Sequence, residues 1–276
     1  MKAMNERMQK NERIQILLTN DDGIQSPGLW AAAAALSQLG YVTVAAPRDQ
    51  ASSTGRAMPR ISDGRIHKTT LRINDQEWPV YAIGGTPAQV VMHAILEIMP
   101  ERPHLVVSGI NYGENVGTSI TISGTVGAAM EGAAHGIPSM AISLQLLSTD
   151  YLSYADLDFS TAGHFTYQFA KMLLEKPFPP DIDLLKVEVP ANATPNTDWR
   201  ITRLARHRYY IPAGARTGTW DEPYYIDGRP SVSQEEVEPD TDIHTLLFDH
   251  LVSVTPLSLD FTSRVNLPAL EHSLKE

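Results

Sequence analysis

Apolar and polar positions come in blocks along this chain, and the blocks define its elements. The run Ile14, Ile16, Leu17, Leu18 stops abruptly at Thr19, Asn20, Asp21, Asp22 and Gly23. A short apolar run without strict alternation, closed by a polar turn, predicts a parallel strand buried on both faces. Ser26 as cap, Pro27 in the first turn and Gly40 after Leu39 predict a helix from Pro27 to Leu39. Tyr41 to Ala46, closed by Pro47, is the second strand, so the stretch 14–47 reads as one strand, helix, strand crossover.

The same grammar continues. A polar loop from Arg48 to Pro59 carries Ser52 and Ser53, and Arg65 to Ile73 with Trp78 to Ile83 predict a hairpin turning at Asn74 and Asp75. Thr86 and Pro87 open a helix whose Val90, Val91, Ala94, Ile95 and Ile98 form one apolar stripe, with His93 at its boundary. Leu105 to Val107 is a buried strand with Ser108, Gly109, Ile110 and Asn111 at its tip. A glycine- and hydroxyl-rich loop then runs into an alanine-rich helix at Ser123, Gly124 and Thr125, followed by a strand at Met140 to Leu144. Further on come a helix from Asp158 to Glu175, stopped by Lys176 and Pro177, and strands at Leu184 to Val189 and Trp199 to Leu204. Tyr209 to Ile211 and Tyr224 to Ile226 read as two legs of a long hairpin. Glu235, Glu236, Glu238, Asp240 and Asp242 read as a solvated acidic loop.

Composition narrows the classes. With 276 residues, 42% of them hydrophobic, the chain can build one large α/β domain, or a domain with an arm. It has no cysteine, which removes disulfides and thiolate metal sites and leaves oxygen and imidazole as metal ligands. A net charge of -10 argues against a nucleic-acid polymer as partner. The first thirteen residues are polar and read as a loose tail without a signal-peptide core, and no apolar run reaches membrane-spanning length. The expectation is a soluble, cytoplasmic protein.

Candidate chemistry gathers at one edge of the sheet. Asp21 with Asp22, the loop of Ser52, and Asn111 all follow strands, and Ser123 to Thr125 begin a helix, so all four project beyond the same carboxyl ends. Two ionised carboxylates roughly 5 Å apart repel by about 3 kcal/mol at an effective dielectric of about 20. Such a pair either splays into water or takes a cation or shared proton. Carboxylate, carboxamide and hydroxyl oxygens without imidazole suit Mg²⁺ or Mn²⁺ rather than Zn²⁺. The helix start is either an anion site or simply capped by Ser123. A divalent cation beside an anion-binding helix start makes a phosphate site.

These residues also carry a resemblance. Asn20-Asp21-Asp22-Gly23; Ala46-Pro47 with Ser52; Gly84-Gly85-Thr86-Pro87; Ser108-Gly109-Ile110-Asn111 with Gly113, Asn115 and Gly117; and Ser123-Gly124-Thr125-Val126 together resemble the SurE family of survival-protein nucleotidases. Val252, Ser253, Thr255, Pro256 and Leu257 resemble its C-terminal strand signature. Two departures stand out: Ser53 where many members have glycine, and Phe248-Asp249-His250 where the family often has a glycine turn.

The resemblance implies a three-layer, Rossmann-like α/β fold with a mostly parallel sheet and a C-terminal β-hairpin extension. The organisation expected is a tail at 1–13, a catalytic core at 14–190, and an extension at 191–276 with an oligomerisation hairpin and a strand returning to the core. It implies one divalent ion per subunit, Mg²⁺ or Mn²⁺, on Asp21, Asp22, Ser52 and Asn111, with Asn115, Ser123, Gly124 and Thr125 lining the phosphate. Asp21, Asp22, Asn115 and Thr125 are then the catalytic set. The activity expected is hydrolysis of nucleoside monophosphates to nucleoside and phosphate, in a homodimer or homotetramer. Three alternatives stay open: a nucleotide sensor without turnover, a covalent aspartyl-phosphate on Asp21, and a hairpin that serves as an active-site lid.

Overall fold

The strand β1 (Gln15–Thr19) divides the topology. It pairs in parallel with β2 (Tyr41–Pro47) on one side and β5 (Leu105–Tyr112) on the other, so the chain leaves its two flanks in opposite directions. The loops that follow β1 and β5 therefore diverge and open a crevice at the carboxyl ends of the strands. The computed structural model describes residues 13–73, 76–147, 157–176 and 178–276. Most of the expected tail, the turn at Asn74 and Asp75, and the stop at Pro177 lie outside the described residues.

Outward from β2 come β4 (Gln76–Ile83), parallel, and β3 (Ile66–Ile73), antiparallel at the edge. From β5 the sheet continues through β6 (Ser139–Leu144) and β7 (Leu184–Val189), both parallel. Two strands from the C-terminal part complete it: β11 (Val252–Leu257) runs antiparallel to β7, and β8 (Trp199–Ile201) pairs in parallel outside β11. Between them in sequence, β9 (Tyr210–Ala213) and β10 (Asp227–Pro230) form a separate antiparallel ribbon.

Alternation within β1 builds three layers. Ile16 and Leu18 pack on one face with Leu29 and Trp30 of α1 (Pro27–Leu36) and with Phe165 and Phe169 of α4 (Ser160–Glu175). Leu17 faces the other side, against Val90 and Val91 of α2 (Pro87–His93) and Ala128 of α3 (Gly124–Ala134). Strands buried on both faces need no polar alternation, which is why these read as continuous apolar runs.

Several boundaries differ from expectation. Helix α1 stops at Leu36 with Ser37 as cap, and Gly40 serves instead a close approach to the chain before β1, where a Cβ would lie 2.5 Å from the Ile14 carbonyl oxygen. The apolar stripe after Pro87 holds as α-helix only to His93 and continues as a π turn over Ala94–Ile98. His93 is partly buried and bonded to Glu97 at 3.0 Å. The helix expected from Asp158 starts at Ser160, with Asp158 accepting the Ser160 N–H at 2.8 Å. The strand expected over Trp199 to Leu204 ends at Ile201.

The second hairpin leg is Asp227–Pro230, not Tyr224 to Ile226, which is exposed in the connection with Trp220. Asp242 is not in a solvated loop: it is fully buried as the first residue of α5 (Asp242–Leu247). The sequence reading also missed α6 (Leu267–Lys275), although Asn266 caps it and a proline sits in its first turn. Among the described residues, no helix is long and apolar enough to cross a membrane.

Candidate active site

The turn after β1 is closed by its own side chain. Asn20 donates from Nδ2 to the Gly23 carbonyl at 3.0 Å and accepts the Gly23 N–H on Oδ1 at 3.2 Å. This self-contained turn commits Asn20 to structure and leaves Asp21 and Asp22 to face the crevice, 4% and 5% exposed. The Tyr112 N–H, at the end of β5, donates to Asp22 Oδ2 at 3.1 Å.

Asp21 meets the start of α3. The Thr125 hydroxyl lies 2.5 Å from Asp21 Oδ1 and 3.0 Å from Asn111 Oδ1. Gly124 is required by this approach, since a Cβ on it would sit 2.8 Å from both Cβ and Oδ2 of Asp21. Burial raises the Asp21 pKa, while the Thr125 hydroxyl and the N–H groups of Thr125 and Gly124 oppose it. The group that meets the N–H groups of this helix start is thus the Asp21 carboxyl. Burial, and then repulsion from Asp21, push Asp22 up to about 8.

The loop after β2 closes a third side. The Ala51 N–H donates to the Asp21 carbonyl at 2.7 Å, which ties the loop of Ser52 to the turn of the acid pair; Ser52 itself is exposed, its hydroxyl accepting from Gln50 at 3.1 Å. Arg56 to Glu131 at 2.7 Å and the Gly55 N–H to the Ile122 carbonyl at 2.9 Å pin this loop to α3 and the turn before it. Ser53 adopts φ 60°, a conformation that favours glycine.

The structure thus joins Asp21, Asp22, Asn111, Gly124 and Thr125, with Ser52 on a loop that Ala51 ties to Asp21. Ser123 is committed to capping, accepting the Val126 N–H at 3.1 Å. Asn115 lies further along the loop, its Nδ2 bonded to Ser143 Oγ at 3.1 Å and its N–H to Glu188 at 2.9 Å.

The donor set suits a hard cation. Asn111 Nδ2 donates to the Gly113 carbonyl at 2.6 Å, which turns its Oδ1 toward Thr125 and Asp21. Three oxygens then meet around one hydroxyl proton, which can serve only one of the two acceptors. Together with a second buried carboxylate, this is an oxygen cluster that a divalent ion would satisfy. Among the described residues no group of three or more His, Asp or Glu side chains is placed to hold a metal ion, so an ion here would rest on two carboxylates and on neutral oxygens.

Comparison with known proteins shows the family of the chain. The family model described as "Survival protein SurE" matches residues 16–211. The chain belongs to the SurE family. It is 44% identical over 259 residues to the "5'-nucleotidase SurE" of Thermococcus kodakarensis, covering 92% of this chain and 95% of that protein. It is 37% identical to the like-named protein of Methanosarcina mazei over 266 residues, 94% of this chain and 97% of that one. The crystal structure of the SurE protein from Aquifex aeolicus superposes with a TM-score of 0.72 at 30% identity, covering 95% of this chain and 100% of that chain.

Reading the SurE-family site from sequence missed a buried polar cluster behind the loop: Glu114, Ser143, Lys186, Glu188 and Asp242. A signal was present, since Lys186 and Glu188 alternate with Leu and Val within β7 and so share one face.

Proposed function

We propose that this chain is a metal-dependent phosphomonoesterase of the 5'-nucleotidase type, releasing phosphate from nucleoside monophosphates. The observation that carries the reading is the contact of Thr125, at the start of a capped helix, with Asp21, at the tip of β1. It brings an acid pair and a positive helix end to one point, where a phosphate monoester needs both neutralisation and orientation. Relatives up to 44% identical over nearly the whole chain carry the name of that activity.

Asp21, Asp22, Asn111 and Ser52 would hold the Mg²⁺ or Mn²⁺ ion, which when bound neutralises phosphate charge and makes water a better nucleophile at neutral pH. The chain's own groups set the geometry. Thr125 fixes one Asp21 oxygen and so orients the other. Tyr112, through its backbone, fixes Asp22. The dipole of α3 offsets the negative charge that two carboxylates and a phosphate concentrate in one crevice, and Asn115 contributes a donor to the phosphate oxygens. Uncatalysed monoester hydrolysis is among the slowest reactions, with enhancements up to ~10²¹, so positioning and charge must supply nearly everything.

The ribbon of β9 and β10 is proposed as the arm of a homo-oligomer. Trp220 is 95% exposed and Tyr225 82%, and aromatic rings at that exposure favour a protein partner over solvent.

Phosphate release from a panel of nucleoside monophosphates, with Mn²⁺ or Mg²⁺ and then with chelator, tests the activity. Release that depends on the metal is expected. Tight binding of intact nucleotide with no release would replace the hydrolase by a sensor.

A further inference from the structure

Behind the site loop, three ionisable side chains lie at 0% exposure. Lys186 of β7 stands 3.0 Å from Asp242 Oδ2, at the start of α5, and 3.8 Å from Glu188 Oε1. Each acid reaches forward to the backbone of the loop after β5. Glu188 Oε2 accepts the Asn115 N–H at 2.9 Å, and its Oε1 accepts the Ser143 hydroxyl at 3.3 Å. Ser143 in turn accepts the Asn115 carboxamide at 3.1 Å, so main chain and side chain of Asn115 are both fixed through Glu188. Asp242 Oδ2 accepts the Gly117 N–H at 3.0 Å, where the 3₁₀ turn Gly117–Thr121 begins, while its Oδ1 holds the Ala205 N–H at 2.9 Å. That turn leads directly into Ser123, Gly124 and Thr125.

Burying three charges is costly, and apolar residues of equal volume would hold β7 in its sheet at least as well. What such residues lack is acceptors for loop N–H groups. We propose that Glu188 is a positioning residue for phosphate binding, setting Asn115 through its main chain and through Ser143, with Lys186 and Asp242 completing the brace of the loop. The inference rests on the hydrolase reading only in taking Asn115 to face phosphate.

Charge balance fits the arrangement. Burial pushes Glu188 up to about 8; Lys186 opposes this and Asp242 and Glu114 add to it. A glutamine keeps one carbonyl oxygen to accept the Asn115 N–H.

The test uses the full chain loaded with Mn²⁺, titrating inorganic phosphate by calorimetry and measuring phosphate release from a nucleoside monophosphate. Glu188→Ala is expected to weaken phosphate binding and raise KM by about tenfold, the scale of one lost buried hydrogen bond. Glu188→Gln should stay within about threefold of wild type on both, and Ser143→Ala, a small change of volume, should weaken phosphate several-fold. If Glu188→Ala and Ser143→Ala lower the melting temperature and leave phosphate affinity and KM unchanged, the cluster is core packing and the proposal falls. Should Glu188→Ala not fold, Ser143→Ala decides by the same two measurements. A wild-type chain that binds phosphate, loses affinity in these variants and releases none from any nucleotide would overturn the hydrolase reading and leave the positioning role standing.

Discussion

Thr125 and Asp21 lie 104 residues apart in sequence, and their oxygens lie 2.5 Å apart. A hydroxyl that short of a carboxylate does more than cap a helix, because the cap is already supplied by Ser123. Thr125→Val keeps the shape and removes the proton. The expected result is a fall of about 10²-fold in kcat, the usual cost of losing one preorganised donor, with a change of only about 1 kcal/mol in stability. Thr125→Ser should restore most of the rate. Steady-state kinetics beside thermal melts would settle it, and normal turnover in the valine variant would show that the contact is structural.

Asp22 gives a pH prediction with a definite sign. Its folded pKa, about 8, stands above the ordinary carboxylate value. The metal-free fold therefore binds an extra proton between about pH 4 and 8, and its stability falls as pH rises through that window. Cation binding favours the ionised form and reverses the trend, so the rise in melting temperature on adding Mn²⁺ should grow from pH 5 to pH 8. In Asp22→Asn the metal-dependent rise should largely vanish, turnover should be lost, and the metal-free protein should be at least as stable as wild type at pH 8. Melting curves across pH with and without metal check all three.

Ser53 and His250 both adopt positive φ, at 60° and 55°, and both are exposed. The left-handed region costs an L-residue roughly 1–2 kcal/mol, part of which glycine gives back as unfolded-chain entropy. Ser53→Gly and His250→Gly should each stabilise by about 0.5–1 kcal/mol. His250→Gly should leave turnover unchanged. Chemical denaturation would expose an error if either variant were less stable.

Deleting residues 214–226 removes Trp220, Tyr224 and Tyr225 with the connection of the β9–β10 ribbon. The chain should then lose its oligomeric state while keeping catalysis of a small monoester. Unchanged mass by light scattering together with a large loss of kcat would favour a lid over an arm.

Lys186→Met strips Asp242 of its buried cationic partner. Breaking such a pair from one side costs about 3–5 kcal/mol, and urea denaturation should read it. Lys186→Met combined with Asp242→Asn should recover part of that loss, since no lone charge remains.

What the sequence carried was local. Strand tips, caps and small residues announce themselves within a few positions, so Asp21, Asp22, Asn111, Gly124 and Thr125 could be assigned to one edge of the sheet from pattern alone. Even the two departures from the family pattern, at Ser53 and at His250, fall where the backbone is left-handed. Long-range pairing was not legible. Asp242 sits in an acidic run and resembles its solvated neighbours; Lys186, 56 residues earlier, and the N–H groups of Gly117 and Ala205 make its burial tolerable. The ribbon's second leg was missed for a related reason. Tyr224 to Ile226 has the composition of a strand, yet pairing with β9 falls on Asp227–Pro230, whose residues have low strand preference.

The order of the chain has a consequence for how the protein is made. Asp21 and Asp22 are made ahead of Asp242, and their strand can pair with β2 and β5 before Asp242 has been added. The partner that neutralises Lys186 and ties down Gly117 arrives only with Asp242, and β11 arrives after that. A chain that stops ahead of Asp242 therefore carries both carboxylates, while the Gly117 N–H and Lys186 lack that partner. A chain cut ahead of Asp242 should accordingly be digested faster by protease than one that reaches β11, because it lacks both the Lys186 partner and the strand that pairs with β7.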